Sequence, residues 1–459
     1  MPTVVRYVLA GVAGLLTALA FPPVGWWPVI LLVWPLLFAA LRGAGLRHGC
    51  YLGLVHGLAC YGAGLSWMLI IFDWVAPALW LILAAFGALA GGVIGWTSLR
   101  RPRWPWLPLY AALAWSALEF VRAEIIWIAF PWMTAGLGLG PTWLAPWIGV
   151  YGAGFLLLLA AGLWVFGAGT QRLAGAFLTL MLAALGIFRP PPVTPTGPGI
   201  PVLAVQNENC DFFGCHDLTA AQTFTDGIIL WPEYAAGFDL HKDARSMAMA
   251  LKLAQDRNAT LILGTQISSD DGTYFNEALT LEAAGPVGAH HKNHPVPLFS
   301  DGMPGLTSLP VTTRFGKIGT PICFDCDFAG PVRRMTAAGA EAFAVPSMDA
   351  ARWSAKQHVQ HADLFRHRAL ENGRWMVVCA TSGLTQLIDP HGNRTAQIPI
   401  LQDGVLVTEL HLRHNLTFFT RAGWLCPWLI CAAALTMTFG VLWQARRQPE
   451  DGVPQSHTS

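Results

Sequence analysis

The sequence has few charged residues and almost no net charge. Of its 459 residues, 12% are Asp, Glu, Lys or Arg, against about 25% in an ordinary soluble protein. The formal net charge is +1, so the chain lacks the basic surplus with which nucleic-acid-binding domains hold phosphates. These shortages exclude an ordinary soluble composition and predict no nucleic-acid partner.

Recognisable cofactor and metal motifs are also missing. The sequence contains no glycine-rich phosphate loop and no set of residues with the spacing of metal ligands. The pairs His290–His291 and His358–His361 fit a loop and a solvent-facing helix surface better than a metal site. We therefore predict neither a cofactor nor a metal.

Cysteine is too sparse for a disulfide scaffold, with nine residues in the whole chain. Cys50, Cys60, Cys426 and Cys431 fall in apolar stretches, where packing explains them. Cys210 and Cys215 lie close together in the polar part of the chain. A disulfide between these two is an open alternative to two free thiols.

Long apolar runs are abundant, and 54% of the residues are hydrophobic. Crossing a bilayer takes about 20 apolar residues in a helix. Immediate re-entry at Trp26 makes the first run a retained helix and not a signal peptide. The predicted spans are residues 4–21, 27–41, 50–72, 75–98, 105–121, 145–168, 172–188 and 423–443.

Arginine placement predicts the orientation of these eight spans. Loops on one side carry Arg6, Arg42, Arg47, Arg100, Arg101, Arg103, Arg172, Arg446 and Arg447, whereas the other side has Arg122 and Arg189. Because cytoplasmic loops collect Lys and Arg, both termini are expected in the cytoplasm. The region between spans seven and eight then faces the periplasm.

The chain divides into four parts. Residues 1–188 form a seven-span membrane domain, and the proline-rich residues 189–200 are a stiff linker. Residues 201–412 alternate short apolar strands with helical patterns, which predicts an α/β domain with helices on the sheet faces. Residues 413–459 hold the last membrane helix and a cytoplasmic tail.

Two features of the membrane part are unlike lipid-facing helix. Glu119 and Arg122 share one helix face and are placed to pair with each other, or alternatively to reach water and head groups at the end of the span. An ionisable residue at membrane depth indicates function. The aromatic segment Phe130-Pro131-Trp132 predicts an interfacial or re-entrant loop.

Three strand ends in the α/β domain each carry a reactive side chain. Glu233 follows GIILWP, Lys292 ends GAHHK and Cys323 ends KIGTPIC. Glu233 is suited to accept the thiol proton, and Lys292 to stabilise a developing oxyanion and favour the thiolate. Taken singly, they are equally well a helix cap, a loop cation and a core thiol. Together they predict a cysteine nucleophile.

These motifs resemble two related families. WPEYA, HHKNHPVP and PICFD are similar to the Glu–Lys–Cys signature of the carbon–nitrogen hydrolase (nitrilase) superfamily. WSALEFVR (115–122), FPW (130–132) and GVYGAGFLL (149–157) resemble the bacterial apolipoprotein N-acyltransferases, in which a nitrilase-like domain is inserted before the last of eight spans. This resemblance covers nearly the whole chain and implies an α-β-β-α sandwich on a multi-pass helical membrane domain.

The resemblance implies a ping-pong acyl transfer in the bacterial inner membrane, without a cofactor. Glu233 would be the base, Lys292 the oxyanion stabiliser and Cys323 the nucleophile that carries a thioester. A phospholipid would donate the acyl chain, and the N-terminal amine of a diacylglyceryl-cysteine lipoprotein would accept it. A membrane-anchored amidase or hydrolase and an inactive lipid-binding paralogue are the alternatives.

The chain departs from the family pattern at several positions near the nucleophile. Phe324-Asp325 stands where the family has Tyr-Glu, so a hydroxyl is lost and the carboxylate is one methylene shorter. At the family's second glutamate, Ser300 is aligned and Asp301 follows it; we favour Asp301 because it keeps the charge. Cys326 lies three residues after the nucleophile, so a redox CxxC pair is an alternative, although no thioredoxin-like context supports it.

Overall fold

The computed structural model of the protein describes residues 1–195, 197–208 and 211–447. Helices occupy each of the eight apolar stretches singled out above. These helices are α1 (Thr3–Ala20), α2 (Ile30–Leu41), α3 (Gly45–Gly64), α5 (Ala76–Arg100), α6 (Leu107–Phe120), α7 (Ala145–Phe166), α8 (Thr170–Ile187) and α14 (Cys426–Arg447), with the short α4 (Met68–Phe72) before α5. The expected span 50–72 is wrong as one helix, because α3 ends at Gly64 and α4 starts separately.

Fewer than eight of these helices meet the length and hydropathy of a membrane span. Within the described residues, five helical segments qualify: Thr3–Ala20, Met68–Arg100, Ala145–Phe166, Thr170–Ile187 and Gly423–Ala445. Trp27–Leu41 is apolar but shorter, and α6 has 14 residues. The helices fit a membrane protein, and the number of eight spans stays a prediction.

Glycine lets α3 and α5 pack with their backbones in contact. Gly49, Gly53 and Gly57 recur every four residues, so they form one small-residue face of α3. A Cβ on Gly53 would lie 2.0 Å from the carbonyl oxygen of Gly87, and one on Gly49 would lie 2.3 Å from that of Gly91. Any larger residue there would therefore push the two helices apart.

The α/β domain consists of two six-stranded sheets. In order across the first sheet the strands are β12 (Gly404–Leu410), β1 (Ile200–Gln206), β2 (Ile228–Leu230), β3 (Thr260–Ser268), β4 (Tyr274–Glu282) and β5 (Gly285–His291). The second sheet runs β11 (Arg394–Ile398), β10 (Thr385–Ile388), β9 (Met376–Cys379), β8 (Ala342–Pro346), β7 (Gly316–Gly319) and β6 (Val311–Thr313). In each sheet three central strands are parallel and the outer strands are antiparallel.

Apolar side chains fill the space between the sheets and cover their outer faces. One core joins Val202 and Ile262 of the first sheet to Ala344 and Val377 of the second. Outside the first sheet lie α9 (Phe212–Ala220) and α10 (Ala244–Asp256), and outside the second lie α11 (Ala329–Ala337) and α12 (Ala355–Asn372). The domain is the α-β-β-α sandwich that the resemblance to the nitrilase superfamily implied.

Helix α12 joins the sandwich to the membrane helices. The side chain of Gln360 donates to the carbonyl oxygens of Pro22 (2.8 Å) and Gly64 (3.0 Å) and accepts from Trp67 Nε1 at 2.8 Å. Lys356 Nζ donates to the carbonyl oxygen of Ala63 at 2.6 Å. The last carbonyls of α3, which have no partner inside their own helix, are therefore satisfied by α12.

The expected pairing of Glu119 with Arg122 is wrong, since no ion pair joins the two side chains. Both bind backbone groups of residues 130–135 instead, and Glu119 stays partly exposed. Glu119 accepts from the backbone N–H of Ala135, and Arg122 donates to the carbonyl oxygens of Phe130 (2.7 Å) and Trp132 (3.1 Å). Arg122 is buried, so its charge holds an irregular segment whose carbonyls no helix satisfies.

One predicted pairing lies outside the described residues. Cys210 is not among them, so the predicted alternative of a Cys210–Cys215 disulfide has no structural outcome here. Between β12 and α14 the chain forms the short helix α13 (Phe418–Arg421).

Candidate active site

Glu233 is held at the end of the first sheet by a fully buried segment. It follows β2 by three residues, and its side chain is 2% exposed. The neighbouring strand reaches it only because residue 264 is glycine, since a Cβ there would lie 2.6 Å from Glu233 Cα. One carboxylate oxygen, Oε1, accepts from Lys292 Nζ and from Asn276 Nδ2, each at 2.7 Å.

Lys292 comes directly after β5 and lies between two carboxylates. Its Nζ is 2.7 Å from Glu233 Oε1 and 2.7 Å from Asp301 Oδ2, and the side chain is 1% exposed. Burial alone would lower the pKa of Lys292, but these two carboxylates raise it well above its usual value. The lysine is therefore a permanent cation at neutral pH.

Cys323 lies on a tight turn that begins four residues after β7. The strand is shorter than the expected KIGTPIC, and residues Cys323–Cys326 form a 3₁₀ turn. Cys323 has φ of +47°, a left-handed conformation that is strained for a residue with a side chain. Its Sγ lies 3.6 Å from the carbonyl oxygen of Met348. The strained turn fixes the direction of the sulfur.

The electrostatic surroundings keep Cys323 protonated until a base acts on it. Burial raises the pKa of the thiol well above its usual value, the Glu233 charge raises it further, and Lys292 opposes both. Burial also raises the pKa of Glu233. Glu233 Oε2 is buried and finds no hydrogen-bond partner among the described residues. One carboxylate oxygen is therefore free to accept a proton.

Asp301, and not Ser300, lies beside Lys292 as a second carboxylate. Asp301 is buried, and besides Lys292 it binds Tyr234 OH at 2.8 Å, Asn276 Nδ2 at 2.9 Å and the Val296 N–H at 2.8 Å. Ser300 is exposed, and its carbonyl oxygen accepts from Tyr274 OH. Of the two residues, Asp301, which we favoured from the sequence for its charge, is the one that contacts Lys292.

Asp325 ties the cysteine turn to the lysine loop. Its carboxylate accepts from the backbone N–H groups of Ile322, Asn293 and His294 and lies 3.0 Å from His290 Nε2. Burial would raise the pKa of Asp325, but the hydrogen bonds from the two histidines hold it well below the usual value. The shorter acid thus fastens the segments that carry Cys323 and Lys292 together.

Phe324 points into an aromatic cluster that both parts of the molecule build. Its ring lies 6.4 Å from that of Phe130 in the membrane part and 5.2 Å from that of Phe328, centroid to centroid. Two apolar cavities of ≈ 70 Å³ each meet at this ring. One of them is lined by Cys323 together with Trp67 and Trp132 from the membrane part.

Cys326 does not form a redox pair with Cys323. Both residues are free thiols. Cys326 is fully buried in the core between the second sheet and its helices, and burial raises the pKa of its thiol well above the usual value. The second cysteine is a packing residue.

A second buried cluster surrounds His361, beyond what the sequence suggested. His361 Nδ1 is 2.8 Å from Asp349 Oδ1, and Nε2 is 3.3 Å from Asp327 Oδ1. Trp132 Nε1 donates to Asp327, and its ring stacks on His361. Burial would lower the pKa of His361, but the two carboxylates raise it to about 10. The imidazole is therefore a cation.

The expectation of a solvent-facing surface at His358 and His361 is wrong, since both are buried. Helix α12 lies between the second sheet and the membrane helices, so most of its side chains are buried. His290 is also buried, against Asp325. Among the described residues, no group of three or more His, Cys, Asp or Glu side chains is arranged to hold a metal.

The site also contains residues that the sequence analysis missed. Asn276 bridges Glu233 and Asp301, and Tyr234 caps Asp301. Asn276 lies in β4, a strand of mixed polar and apolar residues. Its side chain faces the site because of the register in which β4 pairs with β3. Tyr234 directly follows Glu233, and this adjacency is the one feature of the sequence that could have identified it.

Two family models match this chain. Residues 13–163 match the family model of the apolipoprotein N-acyltransferase N-terminal domain, and residues 216–414 match that of carbon-nitrogen hydrolases. The apolipoprotein N-acyltransferase of Azotobacter vinelandii is 30% identical, over 97% of this chain and 96% of that protein. That of Pseudomonas aeruginosa PAO1 is 29% identical, over 90% of this chain and 91% of that protein.

Among solved structures, Saccharomyces cerevisiae Nit3, of the nitrilase superfamily, is 19% identical with a TM-score of 0.40. The match covers 48% of this chain and 93% of that one. The full-length relatives, and not this structural likeness, identify the family. The chain belongs to the apolipoprotein N-acyltransferases.

Proposed function

We propose that this protein transfers a fatty acyl chain from a phospholipid to the N-terminal amine of a diacylglyceryl-cysteine lipoprotein, by way of a thioester on Cys323. The observation that carries the proposal is the cavity at Cys323. Its apolar walls come from Trp67, Phe130 and Trp132 of the membrane part as well as from the α/β domain. A soluble amide substrate needs no such wall, whereas an acyl chain does.

In the first half-reaction, Glu233 Oε2 accepts the Cys323 proton as the sulfur attacks the ester carbonyl carbon of the phospholipid. Lys292 Nζ stabilises the negative charge that develops on the carbonyl oxygen. The tetrahedral intermediate collapses by breaking the bond to the glycerol oxygen, and Glu233 returns its proton to that oxygen. A lysophospholipid leaves, and the acyl chain stays on sulfur as a thioester.

In the second half-reaction, the lipoprotein amine attacks the thioester carbonyl carbon. Glu233 accepts the proton that the nitrogen loses, and Lys292 again stabilises the oxyanion. The C–S bond breaks as the amide forms, and the sulfur recovers a proton through Glu233. Asp301 and Asn276 take no proton in this scheme. They hold Lys292 and Glu233 in place.

The proposed setting is the bacterial inner membrane, with eight spans, cytoplasmic termini and a periplasmic α/β domain. Arginine placement supports this orientation, and it brings the site to the leaflet where both lipid substrates lie. An Asp270→Cys variant, changed in an exposed turn, should react with a membrane-impermeant maleimide in intact spheroplasts. Arg103→Cys should react only after permeabilisation, and the reverse pattern would overturn the orientation.

The chemical proposal is tested by mass spectrometry of the purified protein after incubation with phosphatidylethanolamine. Wild type should carry an acyl group on Cys323 and pass it to a diacylated lipopeptide. Cys323→Ala should carry none, and Glu233→Gln should acylate about 10²- to 10⁴-fold more slowly. Cys326→Ala is the matched control, because this buried thiol should leave acylation intact.

Three results would speak against the transferase. An unmodified wild-type Cys323 would contradict the thioester. Release of free fatty acid at the same rate with and without lipopeptide would identify a hydrolase. Full lipoprotein acylation by Cys323→Ala would show that Cys323 is not the nucleophile.

A further inference from the structure

A larger cavity lies away from Cys323, between the membrane helices and the sandwich. Its volume is ≈ 240 Å³, against ≈ 70 Å³ for each cavity beside Phe324. Side chains of α7, of α11 and of the first turn of α14 line it, together with the segment that follows α6. Both parts of the molecule therefore contribute side chains to the walls of this cavity.

Two guanidinium groups face this cavity, and neither forms an ion pair with a described residue. Arg333 is half-buried and makes no hydrogen bond or ion pair with any described residue; its Cζ lies 4.3 Å above the ring of Trp424. Arg334 donates to the neutral oxygens of Ser308 (3.0 Å) and Asn293 (3.4 Å). Burial lowers the pKa of Arg333, and the neighbouring Arg334 lowers it further.

The one carboxylate in the lining is already engaged. Glu124 Oε1 accepts from Tyr151 OH at 2.7 Å and from the backbone N–H of Ala329 at 3.2 Å. With two arginines and one carboxylate, the lining of the cavity carries a net positive charge. An arginine without a partner, in a recess that is partly shielded from water, is suited to bind an anionic oxygen group.

The remaining walls indicate a lipid and not a soluble anion. Trp424 and Trp428 lie at the beginning of the last apolar helix, where tryptophan is typical of the membrane–water interface. Trp428 is 49% exposed. A head group can therefore enter between the arginines while its acyl chains stay against the outside of α14.

The cavity is separate from the acyl-transfer site. His294 lines it and stacks on Phe328, with ring centroids 4.0 Å apart. Phe328 in turn lies edge-on to Phe324. This aromatic wall stands between the cavity and Cys323, while His294 sits two residues from Lys292. A ligand here touches the lysine loop without reaching the sulfur.

We propose that this cavity binds the phosphate head group of an anionic phospholipid, held by Arg333 and Arg334 above Trp424, as a lipid site distinct from the acyl donor's. The site does not depend on acyl transfer. A lipid bound there contacts His294, in the loop that carries Lys292. The composition of the surrounding membrane therefore acts on this loop.

Native mass spectrometry of the full chain in detergent tests the site, with Cys323→Ala as background so that no acyl group is transferred. The probes are dioleoylphosphatidylglycerol, dioleoylphosphatidylcholine and inorganic phosphate. We expect phosphatidylglycerol to bind more tightly than phosphatidylcholine, and Arg333→Gln to weaken its binding about tenfold. Arg333 makes no hydrogen bond to a described residue, so this change should leave the fold intact.

Arg245→Gln is the matched control, because it removes the same charge from an exposed position on α10. It should leave phosphatidylglycerol binding unchanged, and Arg333→Lys should restore part of the loss. Equal binding by Arg333→Gln and the control would overturn the proposal, as would equal affinity for phosphatidylcholine. Displacement of the lipid by inorganic phosphate would assign the cavity to a soluble anion and overturn it as well.

Discussion

The Lys292 cluster and the His361 cluster are built on the same plan. Each buries one cation between two carboxylates, Glu233 and Asp301 in the first and Asp327 and Asp349 in the second. They differ in where their parts come from. The first lies wholly in the α/β domain, whereas the second also takes a hydrogen bond from Trp132 of the membrane part.

The two clusters therefore suit different roles: the Lys292 cluster suits catalysis, and the His361 cluster suits the positioning of the nucleophile. The Lys292 cluster leaves a carboxylate oxygen of Glu233 unpartnered beside the thiol, which suits proton transfer. The His361 cluster instead clamps the two segments that flank the sulfur, since Asp327 follows Cys323 by four residues and Asp349 follows Met348, the thiol's backbone neighbour. We infer that His361 is a positioning residue that ties the nucleophile to the membrane part.

Lys292→Met should have a larger effect than a change of Asp301, His361 or Phe324. It leaves two buried carboxylates without their cation, which costs about 3–5 kcal/mol of stability. Removal of the oxyanion partner should also lower acyl transfer by about 10²- to 10³-fold. Thermal unfolding and single-turnover acylation of Cys323 measure the two effects.

The control for this change is the double variant Lys292→Met/Asp301→Asn. Removing one of the uncompensated charges should return part of the lost stability, while acylation stays as slow as in the single variant. Recovery of both together would mean that Lys292 acts only through the fold.

Asp301→Asn should have the next largest effect. The amide keeps the shape but loses the charge that holds Lys292 Nζ, and a hydrogen bond to a charged group contributes about 1.5–3 kcal/mol. We expect acylation to fall about 10- to 100-fold. Ser300→Ala is the matched control and should change the rate less than twofold, because Ser300 is exposed. A larger loss in Ser300→Ala would reverse the assignment of the second acid.

The sequence was informative about the Lys292 cluster because Glu233, Lys292 and Cys323 each stand in a recognisable motif. Glu233 and Cys323 follow the parallel strands β2 and β7, whereas Lys292 follows the antiparallel edge strand β5. The alternation of strands and helices predicted an α/β domain, and the resemblance to the nitrilase superfamily implied the sandwich. Asn276 could not be predicted, because the face of the sheet on which its side chain lies depends on the register in which β4 pairs with β3.

The His361 cluster could not be predicted, because it joins α12 and two loops of the α/β domain to Trp132 of the membrane part, and no sequence motif links these segments. The polar pattern of α12 is typical of a helix with one face in water. In the structure that face is buried against α3 and the Trp132 segment. Glu119 and Arg122 misled in the same way, since their spacing predicts a pair while the tertiary structure offers backbone partners.

His361→Gln should lower acylation about 3- to 10-fold and change how stability depends on pH. The folded pKa of His361 is about 10, above the unfolded value of about 6.5. Its contribution to stability is therefore complete below pH 6.5 and is lost as the pH rises from 6.5 to about 10.

Tryptophan fluorescence during thermal unfolding checks this sign. The stability difference between wild type and His361→Gln should shrink steadily from pH 6.5 towards pH 10. His216→Gln, which removes a histidine of α9 beside the exposed Asp217, is the matched control. A difference that grows with pH would show that His361 is neutral in the fold and would remove the parallel between the clusters.

Phe324→Tyr should have the smallest effect, and it probes the contact between the two clusters. Phe324 is adjacent to Cys323, and its ring faces Phe130, which stacks on Trp132. The change restores the tyrosine of the family pattern but adds a hydroxyl to an apolar cluster, where an unpaired hydroxyl costs about 1–3 kcal/mol. We expect a lower unfolding temperature and an acylation rate within about twofold of wild type, measured with the same phospholipid donor. A rate several-fold above wild type would instead mean that the hydroxyl takes part in transfer.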